Sequence, residues 1–184
     1  MKQNNANGRN IFLVPNADVL ADLDFETWLP LADGHKREQL QSMRRQVANI
    51  SLVGILLAKY AIHTKWNIPI DQIRFGIGSH GKPYVIGYEQ VHVDDMPIGI
   101  DIQKMKPCRF DFIAKRFFTQ KEQERYIMEG KNQTAFYRMW TKRESVGKYL
   151  GVGFHYKPKD DTSDWKTEYM LYQKDYMICV CTKK

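Results

Sequence analysis

The run Thr134 to Leu150 most constrains what this chain can fold into. It has the pattern of a helix, and Gly151-Val152-Gly153 ends it. Within it Trp140, Glu144 and Lys148 stand at i, i+4 and i+8, on one face and about one turn apart. On spacing alone the ordinary explanation is a core edge beside a surface ion pair, because Glu-to-Lys pairs at this spacing are common on solvated helices. The other reading is a site, in which a carboxylate binds a metal or takes a proton with a cation a turn away. Trp165 to Tyr172 and Tyr176 to Thr182 then alternate like two antiparallel strands around Gln173-Lys174-Asp175.

A second stretch shifts the balance toward a site. Pro97-Ile-Gly-Ile-Asp101-Ile-Gln103 reads as a strand with Ile98, Ile100 and Ile102 on one side and Gly99, Asp101 and Gln103 on the other. An acid in such a strand needs a partner, and a metal or a cation is the usual one. An Asp on a strand and a Glu on a helix can together hold a hard divalent ion such as Mg2+.

PIGIDIQKMKP, then IAKRFFTQKEQ, then MWTKRESVGKYLGVGF stand in order between Pro97 and Phe154. Together they resemble the signature of the 4'-phosphopantetheinyl transferases of the larger, single-chain, surfactin-synthetase-activating type. The resemblance extends more weakly back to about Leu29 and forward to the end. It implies an α+β fold of two similar α/β lobes in pseudo-twofold arrangement, each with an antiparallel sheet packed on a long helix. Residues 11–93 would form the N-terminal lobe on the coenzyme A side, and 94–184 the C-terminal lobe with the metal and the catalytic helix.

The implied reaction moves phosphopantetheine from coenzyme A to a serine of an acyl or peptidyl carrier protein, with 3',5'-ADP as leaving group. The resemblance gives Glu144 the role of general base, and Lys148 that of stabilising the pyrophosphate and protonating the leaving group. It implies Mg2+ held by Asp101 and Glu144 beside the pyrophosphate, with Gln103 standing where many members carry a third acid. Lys36 and Arg37 match a basic stretch near the cofactor phosphates, and Gly81, Lys82 and Pro83 match a loop at the nucleotide end of coenzyme A. His80 is grouped with that loop on the cofactor side. Trp140 is expected to be structural, and the Phe110 to Phe118 and Lys121 to Glu129 region to help dock the carrier protein.

Three further features depart from the family pattern. A Phe-Asn-Ile-Ser-His-Ser-like segment and its strand are absent between the Gly-Lys-Pro loop and the Asp101 strand, and Ser79-His80, ahead of the loop, does not stand in its place. Ile50 stands where an Arg is usual, and Arg143 replaces a Lys. The alternative to a transferase is therefore a weakened or inactive homologue that binds carrier protein without transfer.

Composition agrees with an anionic partner. The 184 residues carry a formal charge of +7 and a pI near 9.2. Coenzyme A and an acidic carrier protein both qualify. No helix-turn-helix, RNP motif or zinc finger supports nucleic acid, and a nucleic-acid binder is the remaining, disfavoured reading. With 43% apolar residues the chain can bury a core as one domain or two small lobes. The longest apolar region, Ile50 to Ile62, reads as too short to span a bilayer. The polar N-terminus has no signal-peptide core. Cys108, Cys179 and Cys181 lack zinc-type spacing and read as buried free thiols. A cytoplasmic monomer without membrane association is the expectation.

Among the remaining elements, Ile11 to Val14 and Gln72 to Phe75 read as short strands, and Asp18 to Leu29 as weakly helical, closed by Pro30. Lys36 to Gln46 is expected to run on into a helix from Val47 to Thr64. Its broad apolar face would comprise Val47, Ile50, Leu52, Val53, Leu56, Leu57 and Tyr60. Thr119 is expected to cap the second short helix, with Glu122 closing a capping box.

Overall fold

The computed structural model describes residues 2–4, 10–14, 24–78, 83–88, 91, 98–152 and 164–184. They fall into two compact units, one within Met1–Gly78 and Pro83–Val91, the other chiefly His92–Lys184. Both mix helices with small antiparallel sheets, so the fold is α+β.

The first unit begins with β1 (Lys2–Asn4) paired antiparallel with β2 (Asn10–Phe12). A helical turn at 24–28 (α1) runs into a 3-10 turn, Leu29–Leu31, with Pro30 inside the turn. Two helices follow where the sequence suggested one. α2 spans Gly34–Ser42 and α3 spans Arg45–Trp66, with Met43 and Arg44 extended between them. Met43 leaves the helix to pack against the cluster of Phe25, Leu29, Leu40 and Leu52. Asn67 closes α3 in the left-handed conformation, with Pro69 just beyond.

The inward stripe of α3 also differs from the one expected. Ala48, Asn49, Leu52, Val53, Lys59 and Ile62 are buried, whereas Val47, Ile50 and Tyr60 are exposed. The true stripe follows the helical period through a polar and a charged residue, which an apolar count passes over. By length and composition α3 could cross a membrane, longer than the run read from the sequence. In this structure its inward stripe instead serves two clusters of its own unit, the second around Ile62, Ile68, Ile73 and Val91. That second cluster takes in the hairpin of β3 (Phe75–Ile77) and β4 (Pro83–Val85), which starts three residues later than expected because Ile70–Gln72 forms a 3-10 turn.

The second unit is a three-stranded antiparallel sheet covered by one long helix. Its strands are β5 (Gly99–Lys104), β6 (Trp165–Tyr172) and β7 (Tyr176–Lys183), in the order β5-β7-β6. The β6–β7 hairpin turns at 173–175, with Gln173 and Lys174 at positive φ. Between β5 and β6 lie α4 (Phe110–Phe117), α5 (Gln120–Met128) and α6 (Gln133–Leu150). The capping box on α5 forms as expected, Thr119 and Glu122 each holding the other's backbone amide. Phe136, on α6, is the centre of the core: it stacks on Phe118 and Trp140 and meets Phe110, Tyr126 and Tyr137. Such contacts add about 0.5–1.5 kcal/mol each beyond area burial. Trp140 is thus part of the packing, as read from the sequence.

Candidate active site

β5 reverses the usual sense of a half-buried strand. Its isoleucines, Ile100 and Ile102, are the exposed residues, while Gly99 and Asp101 are buried. Gly99 explains the inversion. A Cβ there would run into the Ser145 carbonyl oxygen, with the carbonyl carbon at 2.7 Å and Cys181 Sγ at 2.9 Å. Glycine lets α6 settle directly on β5, and the next inward residue of the strand, Asp101, then lies under the last turns of the helix. The Ser145 hydroxyl donates to the Cys179 carbonyl at 2.8 Å, fixing α6 on the central strand. Tyr137 secures the end of β5: its hydroxyl accepts from Lys106 N at 3.1 Å and donates to Lys106 O at 2.9 Å.

This close approach brings the sequence candidates of the second unit together. Asp101 is 4% exposed, and its Oδ1 accepts from Lys148 Nζ at 2.6 Å. Asp101 Oδ2 is buried and has no hydrogen-bond partner. Burial pushes the Glu144 carboxyl up from the usual carboxylate range, and the neighbouring Asp101 charge pushes it further; Lys148 and Arg143 pull the other way. Two carboxylates that repel each other, one with an orphaned oxygen, form a donor set that a divalent cation would satisfy. Among the described residues no group of three or more His, Cys, Asp or Glu side chains is placed to hold a metal ion. Gln103 is half-buried, two residues along β5 from Asp101.

α6 is stopped where Lys148 needs it. Gly151 takes φ 73°, and Val152 N donates to Gly147 O at 3.0 Å, the Schellman pattern that ends a helix. Arg143 faces another partner: its Nη1 donates to Glu122 Oε2 at 3.1 Å, both side chains largely buried. Glu122 therefore serves the α5 cap and anchors α6 at once. Only its capping role was legible, because the two residues stand on separate helices.

Of the remaining candidates, Lys36, Arg37 and Pro83 are described. Lys36 donates to Gln39 Oε1 at 2.8 Å on the surface of α2. Arg37 turns back on its own chain, donating to Pro30 O at 2.7 Å and Ala32 O at 3.1 Å. Its guanidinium thus holds the preceding turn, a role the sequence did not suggest. Pro83 opens β4 and is exposed. His80, Gly81 and Lys82 lie outside the described residues, as does most of the stretch where the family segment is absent. Cys179 and Cys181 are buried free thiols as expected, and burial pushes the Cys179 thiol up to about 12. Cys108 is exposed, contrary to expectation, in the segment just ahead of α4.

Residues 97–181 match the family model described as the 4'-phosphopantetheinyl transferase superfamily, a span that holds Asp101, Glu144 and Lys148. A 4'-phosphopantetheinyl transferase psf-1 of Bacillus pumilus is 30% identical over 79% of this chain and 69% of its own length. The chain belongs to the 4'-phosphopantetheinyl transferase superfamily. A 4'-phosphopantetheinyl transferase of Bacillus subtilis is 33% identical over 68% of this chain and 66% of the relative. The L-aminoadipate-semialdehyde dehydrogenase-phosphopantetheinyl transferase of Rattus norvegicus is 32% identical over 60% and 45%. The chain thus spans about two thirds, 66–69%, of the two bacterial transferases.

Proposed function

We propose that this protein transfers 4'-phosphopantetheine from coenzyme A to a serine hydroxyl of an acyl or peptidyl carrier protein. The observation that carries the reading is the Asp101–Lys148–Glu144 constellation, with its orphaned Asp101 oxygen, inside the span that matches the superfamily. The serine oxygen forms a bond to the phosphorus bearing the pantetheine arm, and the bond from that phosphorus to the 3',5'-ADP oxygen breaks. Glu144 accepts the serine proton, a role suited by a carboxyl that burial and the Asp101 charge hold above the usual carboxylate range. Lys148 offers positive charge to the pyrophosphate and a proton to the departing 3',5'-ADP. Its side chain is 51% exposed, so it can leave Asp101 for an incoming phosphate. Asp101 and Glu144 would hold Mg2+, and Gln103 has an amide that can hold a bound water; the ion would neutralise charge on the phosphoryl oxygens. In this reading Lys36, Arg37, Gly81, Lys82 and Pro83 keep the cofactor-side roles that the resemblance implies, Arg37 by releasing the Pro30 and Ala32 carbonyls.

Mass spectrometry of an apo carrier protein incubated with coenzyme A, Mg2+ and this protein tests the proposal. A phosphopantetheine mass gain, lost with Glu144→Gln, is expected. No gain across several carrier proteins, with folding verified by circular dichroism, would overturn it in favour of a carrier-binding homologue without transfer.

A further inference from the structure

An aspartate at a helix N-cap ordinarily turns its carboxylate onto the helix's own free amides. Asp33 starts α2 but does not do this. Its carbonyl accepts Arg37 N at 2.7 Å, while its Oδ2 accepts the amide of Phe75, the first residue of β3, at 2.7 Å across 42 residues. Oδ1 is buried without a hydrogen bond and faces two cations, Lys59 Nζ at 3.6 Å and Arg74 Nε at 3.7 Å.

Lys59 is the more unusual partner. It is 1% exposed, in the inward stripe of α3, and Nζ donates to the Ile73 carbonyl at 2.7 Å. An ammonium in such a place costs several kcal/mol unless it is paired and hydrogen-bonded, and an apolar side chain of its size often serves stability as well or better. What an apolar residue would not supply is a tie made of the hydrogen bond to Ile73 and the positive charge facing Asp33. The tie joins the start of α2, the middle of α3 and the approach to β3. α2 carries Lys36 and Arg37 in its first turn, and β3 pairs with β4, which opens at Pro83.

We propose that Asp33 and Lys59 are positioning residues for coenzyme A binding, which hold the first turn of α2, with Lys36 and Arg37, in register with the β3–β4 hairpin. The inference rests on the transferase reading above. Lys59 is too deeply buried to meet the ligand and acts only through Asp33 and Ile73. Loss of the tie therefore weakens cofactor capture and leaves the chemistry of Asp101, Glu144 and Lys148 unchanged once coenzyme A is saturating.

Steady-state carrier loading with varied coenzyme A, beside calorimetric titration of coenzyme A, tests this. Lys59→Met keeps the length of the side chain and removes its charge. It is expected to raise KM and Kd for coenzyme A at least ten-fold with kcat within two-fold of wild type, and Lys59→Arg is expected to recover most of the loss. Hydrogen exchange at Arg37 N and Phe75 N should speed up together in Lys59→Met. If that variant does not fold, Asp33→Asn, at a partly exposed position, should give the same KM-selective effect. An unchanged KM in a folded variant, or equal losses in KM and kcat, overturns the positioning role while the transferase reading stands. A wild-type protein that neither binds coenzyme A nor loads a carrier overturns both.

Discussion

Lys148 Nζ and Asp101 Oδ1 meet at 2.6 Å, joining residues 47 positions apart on α6 and β5. The pair is asymmetric: Asp101 is 4% exposed and the Lys148 side chain 51%. Removing the lysine strands a buried carboxylate, whereas neutralising the aspartate leaves a lysine that can turn to water. Lys148→Met should therefore destabilise by about 1–2 kcal/mol, at the low end for a buried group left unsatisfied because half of the lysine is already solvated. Asp101→Asn should cost less. Urea unfolding of the two variants checks the order, and the reverse order would refute this account of the pair.

The same asymmetry predicts a response to divalent cations. If Asp101 and Glu144 are the protein's metal donors, Mg2+ should raise the unfolding midpoint of wild type and raise it more in Lys148→Met, where no ammonium competes for Asp101. At ten times the dissociation constant the gain is about 1.4 kcal/mol. Asp101→Asn should lose most of it. Equal Mg2+ responses in all three proteins, measured by thermal melts at constant ionic strength, would remove Asp101 from the donor set.

Two glycines should respond in opposite directions to the same change. Gly99→Ala places a Cβ against the Ser145 backbone, which cannot yield without lifting α6 from β5. A loss of about 3 kcal/mol or more is expected, at or beyond the upper range for overpacking. Gly54 lies on an exposed face of α3, where an added methyl group would meet nothing within 4 Å. Gly54→Ala should stabilise by about 0.5–1 kcal/mol through helix propensity and reduced unfolded-chain freedom. Urea unfolding of both variants measures the two changes. A tolerated Gly99→Ala would contradict the close helix-on-strand contact that places Asp101.

Glu122 has two separable roles. Thr119→Ala removes one half of the α5 capping box and should cost about 1 kcal/mol. Glu122→Gln can keep the box while weakening the ion pair with Arg143. Glu122→Ala loses both and should be the most damaging of the three, by about 2–3 kcal/mol, because it also takes a charged partner from a largely buried Arg143. A Glu122→Gln variant as unstable as Glu122→Ala would mean that the ion pair, not the cap, carries the effect.

How much of this was legible in the sequence follows from how local each signal is. The α5 capping box, the α6 span with its glycine stop and the β6–β7 hairpin rest on residues within a few positions of one another, and period and turn chemistry found them. Asp101 stands out because an acid inside an apolar strand is anomalous at the level of sequence, although the isoleucines beside it face outward. The Glu122–Arg143 and Asp33–Lys59 pairs left no such mark. Each joins two separate elements, and a lysine in a helix reads as surface until the packing on either side of it is known. The break at Met43 was hidden for a similar reason, since its extended backbone answers to a cluster formed by residues as distant as Phe25 and Leu52.

Lys59 also sets a pH dependence with a definite sign. Burial holds its ammonium below the ordinary lysine value of 10.5; Asp33 opposes that, Arg74 reinforces it and Asp71 opposes it weakly. The unfolded chain therefore keeps the proton across the interval between the lowered folded value and 10.5, while the folded chain has released it. Stability rises with pH wherever the unfolded state binds more protons, so the cost of burying the charge is fully present below that interval and fades through it. Lys59→Met has no such proton and serves as the reference for every other titrating group. The stability of wild type minus that of Lys59→Met, from urea unfolding between about pH 7 and 10, should become more favourable to wild type as pH rises. A difference that falls instead would mean that the Asp33 ion pair outweighs burial and that Lys59 is held charged by more than it loses to desolvation.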